Sequence, residues 1–157
     1  MLLPIIKKYL TIVSILALFI LNVPNISSAY PSYPHNLWMG LIAEDTSGNY
    51  QTYLMIASVV RNRLNKGMDT GLVALKRKNL EYFVKIEICY ALSVKEIDLY
   101  GLTIKAIEEI FINNKDYAAG AINYEHTGVY PVPKYTKKMK LVKVMYPNTN
   151  QEITFWR

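Results

Sequence analysis

Cysteine is almost missing from this 157-residue chain: Cys89 stands alone, which excludes an internal disulfide and any cysteine-rich zinc centre. Histidine is nearly as scarce, with only His35 and His126, and neither HExxH nor paired CxxC spacing occurs. No metal or other cofactor is therefore expected, and stability must come from packing. With Ile86, Ile88 and Ala91 as neighbours and no histidine nearby in sequence, Cys89 reads as a buried, inert thiol. Acids are the minority charge, 12 against 18 Lys and Arg, for a net +6. That excess suits an anionic surface or simple solubility; without a recognisable motif or an aromatic–basic stripe, no nucleic-acid partner is expected. Repeats and low-complexity tracts are lacking too.

Long apolar runs are confined to the first 29 residues, which have a plan of their own. Lys7 and Lys8 precede an apolar run over residues 9–23, and Ser27-Ser28-Ala29 offers a small-residue cleavage site before Tyr30, the three zones of a signal peptide. An uncleaved anchor is the alternative, since a basic pair suits it as well, although about 15 apolar residues fall short of the roughly 20 that a span requires. Either way the remainder is expected to be secreted or otherwise extracytoplasmic, in the periplasm or cell wall, and to meet the membrane only through this segment. Residues 30–36 read as a flexible leader interrupted by Pro31 and Pro34. Residues 37–157 have the length of one domain, expected to act as a monomer.

Within that domain the apolar pattern changes period. Leu37, Trp38, Gly40, Leu41 and Ile42 predict a helix reaching Glu44, and Asp45-Thr46-Ser47-Gly48-Asn49 strings together residues that favour caps and turns. Tyr53, Ile56, Ala57, Val60 and Leu64 recur at steps of three and four, which predicts a helix with one buried face, stopped by Asn65-Lys66-Gly67. The stretch from Gly71 through the basic Lys76-Arg77-Lys78 to Phe83 shows no clear period. Ile104, Ile107, Ile110 and Phe111 predict a further helix over residues 103–111. After it the period shortens, and residues 121–126, 141–146 and 152–156 read as strands. Helices first and strands last predict an α+β domain with a small antiparallel sheet at its C-terminal end.

One acid stands where chemistry is easily placed. Glu44 follows Leu41, Ile42 and Ala43 at a predicted helix end, and burial there would favour its protonated form, the condition for a general acid near neutral pH. A solvated acid at a helix terminus is the bland alternative. Glu125 is the candidate for a second carboxylate, but strand alternation sends Tyr124 and Glu125 to opposite faces, so one of them faces a given cleft. Trp38, Tyr82, Phe83 and Tyr135 are candidates for a ligand-stacking surface or for the core. Asn62 and Arg63 read as a structural brace.

Residues 42–64 resemble the signature of the SleB-type cell wall hydrolases, the spore cortex-lytic family, approximately AEARGExxxGQxAVAxVVxNRV. Aligned without a gap, the chain matches at Ala43, Glu44, Ala57, Val59, Val60, Asn62 and Arg63. Glu81-Tyr82-Phe83-Val84 is similar to the family's Gln-x-Phe-Ser element, and Gly120-Ala121-Ile122-Asn123-Tyr124 to its Gly-Ala-x-x-Tyr strand. Pro133-x-Tyr135 and Ile153-Thr154-Phe155-Trp156 resemble its last two elements. The chain departs at Thr46-Ser47-Gly48, where the family has Arg-Gly-Glu, and at Thr52-Tyr53, where it has Gly-Gln.

The resemblance implies a lysozyme- or transglycosylase-like fold with Glu44 as the catalytic acid. It implies peptidoglycan glycan strands as the partner, cut at the β-1,4 bond between N-acetylmuramic acid and N-acetylglucosamine, with Tyr124 lining the cleft. Lytic transglycosylation by a single glutamate is the expected route. A hydrolytic muramidase and a non-catalytic glycan-binding domain remain the alternatives.

Overall fold

The computed structural model describes residues 32–127, 137–148 and 151–157, so the signal or anchor segment and Tyr135 lie outside the described residues. The chain runs through α1 (Leu37–Glu44), α2 (Tyr50–Leu64), a 3₁₀ turn (Val73–Lys76), α3 (Leu80–Val94) and α4 (Leu99–Ile107). A π turn (Glu108–Ile112) prolongs α4, and three strands follow: β1 (Asn123–Thr127), β2 (Leu141–Asn148) and β3 (Gln151–Trp156). The strands form one antiparallel sheet in the order β1-β3-β2, which completes an α+β fold with helices first and sheet last.

The sequence predicts α2 as a helix with one buried face, yet residues 52–61 are all buried. Leu37 and Leu41 of α1, Ala106 and Ile107 of α4, Ile110 and Phe111 of the π turn, and Ile153 and Phe155 of β3 join its apolar residues in one cluster, so it is enclosed on every side. Enclosure favours polar residues of α2 that find partners inside, and among the described residues Thr52 Oγ1 and Arg61 Nε are the atoms of this helix left without one. Ser58 Oγ donates to Leu54 O at 2.8 Å and accepts the Tyr117 N–H at 3.0 Å. Arg61 Nη1 donates to Ile110 O at 2.9 Å and to Asn114 Oδ1 at 3.1 Å, closing the end of the π turn.

A second cluster joins Ile42, Leu80, Val84, Ala91 and Leu99. Its helix, α3, was not legible in the sequence because Val84-Lys85-Ile86-Glu87-Ile88 alternates apolar and charged residues as a strand does. The helical stripe is Leu80, Val84, Ile88 and Ala91, at steps of four and three. Cys89 lies one residue, about 100°, off that stripe. It is exposed on the outer side with Ile86 and Tyr90, which corrects the expectation of a buried thiol.

The link from α1 to α2 is locked by its own polar side chains. Asp45 Oδ1 accepts the Ser47 N–H at 2.8 Å, Ser47 Oγ accepts that of Asn49 at 3.2 Å, and Asn49 Oδ1 caps α2 through the Thr52 N–H at 3.2 Å. The buried Tyr53 hydroxyl donates to Asp45 O at 2.6 Å. In the leader, Tyr33 stacks on Phe111 with ring centroids 5.0 Å apart, so packing extends upstream of α1.

Candidate functional site

Glu44 ends α1, one helical turn after Gly40, and that interval builds the floor of a cleft. Gly40 has no side chain where Leu72 and Leu75 press in: a Cβ there would stand 2.9 Å from Leu75 Cδ2. The 3₁₀ turn can therefore lie directly on α1. One turn further along the same face, Glu44 Oε1 accepts the Ala74 N–H at 3.3 Å.

The opposite wall is β1. Period-two alternation puts Tyr124 and His126 on one face of the strand, and both meet the carboxylate. His126 Nε2 lies 3.6 Å from Glu44 Oε2, and the Tyr124 hydroxyl hydrogen-bonds to Glu44. Burial, then the charge of Glu44 and that hydrogen bond, push the Tyr124 phenol well above its ordinary pKa, so it stays a neutral donor. Its ring is held against Phe155, its partner in the β1–β3 register, at 6.2 Å, and edge-on to the His126 ring at 6.1 Å. The Glu44 side chain keeps 12% of its exposure and that of His126 37%, so the carboxyl is sheltered while the imidazole reaches solvent.

Between these walls lies an open cleft of about 500 Å³, lined also by Val59 and Arg63 of α2, the loop from Asp69 to Leu72, Lys76, and Glu125. Arg63 holds the cleft's end together. Its guanidinium donates to Asp69 O at 2.9 Å, Asp69 Oδ1 at 2.7 Å, Ile122 O at 3.0 Å and Asn123 Oδ1 at 3.2 Å. The Asp69 carboxyl is thereby held below its ordinary pKa. Gly71 makes room for that arrangement: it adopts φ +72°, and a Cβ on it would stand 2.7 Å from Arg63 Nε. Asn62 Nδ2 adds a bond to Ala121 O at 3.1 Å. Asn62 and Arg63 thus brace the start of β1, and Arg63 also contributes to the cleft surface.

Of the residues singled out in the sequence, Glu44, Arg63, Tyr124 and Glu125 meet here. Tyr124 turns to Glu44 from the same face of β1 as His126, and Glu125, the residue between them, also borders the cleft. Trp38, Tyr82 and Phe83 are not brought to it. Trp38 packs between both apolar clusters, edge-on to Tyr100 at 5.1 Å. Tyr82 points outward from α3, 69% exposed, and Phe83 lies beneath the Arg77 guanidinium at 3.9 Å. Tyr135 is outside the described residues. The sequence reading missed His126 and the loop from Asp69 to Leu72. The signal for His126 was its two-residue step from Tyr124; nothing in the loop's composition marked it.

Chemically, the cleft offers one sheltered carboxyl group that accepts the Ala74 N–H, with the Tyr124 hydroxyl and the His126 imidazole beside it. Among the described residues no three His, Cys, Asp or Glu side chains converge as a metal site would require. Compared with known proteins, the chain matches no family model, no curated protein and no solved structure.

Proposed function

We propose that this protein cuts peptidoglycan glycan strands at the β-1,4 bond between N-acetylmuramic acid and N-acetylglucosamine by lytic transglycosylation. The observation that carries the reading is the sheltered Glu44 carboxyl at the floor of an open cleft, 12% exposed and bridged to both walls. The likeness of residues 42–64 to the SleB-type signature adds to it, because Glu44 stands at that signature's catalytic acid. The same likeness supports a lysozyme-like ancestry for the fold.

In this mechanism a protonated Glu44 donates to the glycosidic oxygen as the C1–O bond breaks and oxocarbenium character develops. The muramoyl 6-hydroxyl then attacks C1 and gives its proton to the Glu44 carboxylate, leaving a 1,6-anhydro end. Tyr124 steadies the ionised carboxylate between the two steps by donating its hydroxyl proton as a hydrogen bond. The walls are close enough to exclude much of the solvent around the carboxyl. Action from the secreted or cell-wall side follows from the signal-like first 29 residues.

The presence of Glu125 on the same cleft favours one further reading, a hydrolytic muramidase in which that acid activates water. Incubation of purified peptidoglycan with the protein and with Glu44→Gln, followed by mass analysis of released muropeptides, separates the outcomes. Anhydro ends lost in the variant support transglycosylation. Reducing ends indicate the muramidase, and glycan binding without release refutes both in favour of a binding domain.

A further inference from the structure

We propose that the outer face of α3 is a docking surface for a second copy of this chain, whose own α3 lies across it antiparallel, in place of the monomer expected from the sequence. The inner stripe of the helix buries Leu80, Val84 and Ala91. At about 100° per residue the opposite side carries Tyr82, Ile86, Cys89 and Ser93 in one row. None of the four is covered: Tyr82 is 69% exposed, Ile86 48%, and Cys89 and Ser93 are exposed as well. Tyr90 and Leu92 flank the row, each about half exposed. A helix that is apolar on both sides is one that packs on both sides, and here only the inner side has a neighbour among the described residues.

The spacing of the outer row selects what covers it. From Tyr82 to Ile86, Cys89 and Ser93 the steps are four, three and four, the seam of a paired-helix contact, and the row has the same steps read from either end. A two-fold axis midway between Glu87 and Ile88 therefore lays Tyr82 against Ser93 of the second copy and Ile86 against its Cys89. Each large side chain meets a small one, as a self-complementary interface requires.

Charge selects the same arrangement. The cations Lys76, Arg77 and Lys78 stand before α3 and the acids Glu96 and Asp98 stand after it, the reverse of what the dipole of α3 favours on its own. Antiparallel docking sets the basic end of each copy beside the acidic end of the other, whereas parallel docking sets like beside like. An anionic lipid surface suits the row less well. Glu81, Glu87 and Glu96 border it as closely as Lys85 and Lys95 do, and Lys85 is already paired with Glu81 at 3.1 Å.

Sedimentation equilibrium of the purified protein is the test. One helix face per copy falls short of the roughly 800 Å² per partner of a standard interface, so the dimer is weak and forms between about 10 and about 500 μM. In more dilute solution Cys89 stays open to reagents. Ile86→Glu sets two acids against the seam and weakens association at least about thirtyfold. Its melting temperature in dilute solution stays at the wild-type value, because Ile86 is half exposed in the single copy. Orientation is read by mild oxidation in a Cys89→Ser background, where Tyr82→Cys chains mixed with Ser93→Cys chains cross-link faster than either does alone; this arm does not depend on Ile86→Glu folding. A single copy at every concentration overturns the proposal, and so does association that Ile86→Glu leaves unchanged. Tyr82→Cys chains that link to one another faster than to Ser93→Cys chains mark parallel docking and overturn it too. Single copies that bind phosphatidylglycerol vesicles, and lose that binding in Ile86→Glu, assign the row to lipid and overturn the dimer.

Discussion

Replacing Tyr53 by Phe removes one oxygen atom from the centre of the fold and is a direct test of how the loop after Glu44 is held. The side chain is fully buried, and its hydroxyl donates to the main-chain carbonyl of Asp45 at 2.6 Å, a residue only 2% exposed. Phe fills the same ring volume, so the cavity penalty that accompanies larger truncations is nearly absent. What remains is a buried carbonyl deprived of its donor, which costs about 1–3 kcal/mol. At roughly 4 °C per kcal/mol for a domain of this size, the melting temperature falls by about 4–12 °C.

The pH dependence gives the same experiment a second arm. Burial first, and the Asp45 charge second, raise the Tyr53 pKa above its ordinary 10.0. A phenol whose folded value is raised contributes stability that is fully present below the unfolded value and is lost as pH rises through the folded one. The difference between wild type and Tyr53→Phe is therefore constant between pH 7 and 9 and shrinks above pH 10. Urea denaturation across that range measures it. A difference below about 0.5 kcal/mol at pH 7, less than a typical buried bond contributes, refutes the reasoning; so does a difference that stays the same to pH 11.

Three further outcomes are expected. Glu109, hydrogen-bonded first to Lys115 and next to Asn113, is lowered to about 2 from 4.5, so its contribution is present above pH 4.5 and is lost as pH falls toward 2. Glu109→Gln accordingly flattens the acid side of the stability profile, and urea midpoints at pH 5 and pH 2.5 that keep the wild-type spacing would contradict it. Gly71→Ala forces a side chain into φ +72° and against Arg63, at a backbone cost of about 1–2 kcal/mol, so a variant with an unchanged urea midpoint argues against the close approach. Cys89 in the native protein reacts with a thiol reagent as fast as in denaturant to within about tenfold, as an exposed thiol should, and labelling that waits for unfolding would return it to the core.

The order of elements was legible because most helices and strands here carry a clean period. Tyr53, Ile56, Ala57 and Val60 announced α2, and the ends of α1 and α2 were marked by Asp45, Asn49 and Gly67. What sequence could not convey was how many neighbours an element has. The step of three and four fixes one face of α2, but burial of residues 52–61 all round depends on elements as distant as Phe155. In α3 the local alternation of Val84, Ile86 and Ile88 outvoted the weaker helical stripe. At the site, Glu44 was readable from its position at a helix end and Tyr124 from the Gly-Ala-x-x-Tyr resemblance. His126 was not, since its meaning comes from Glu44, 82 positions upstream, and no spacing rule spans such a gap.

Sheet order has a consequence for how this molecule comes into being. The strand at the centre, β3, is the last to be made, and β1 and β2 touch it rather than each other. During synthesis, then, the side of the cleft that bears Tyr124 and His126 lacks its sheet partner until residues 151–156 arrive. Proteolytic trimming before Gln151 would strip β1 of its ladder bonds to β3 and leave that side tied to the helices through Asn62, Arg63 and Glu44.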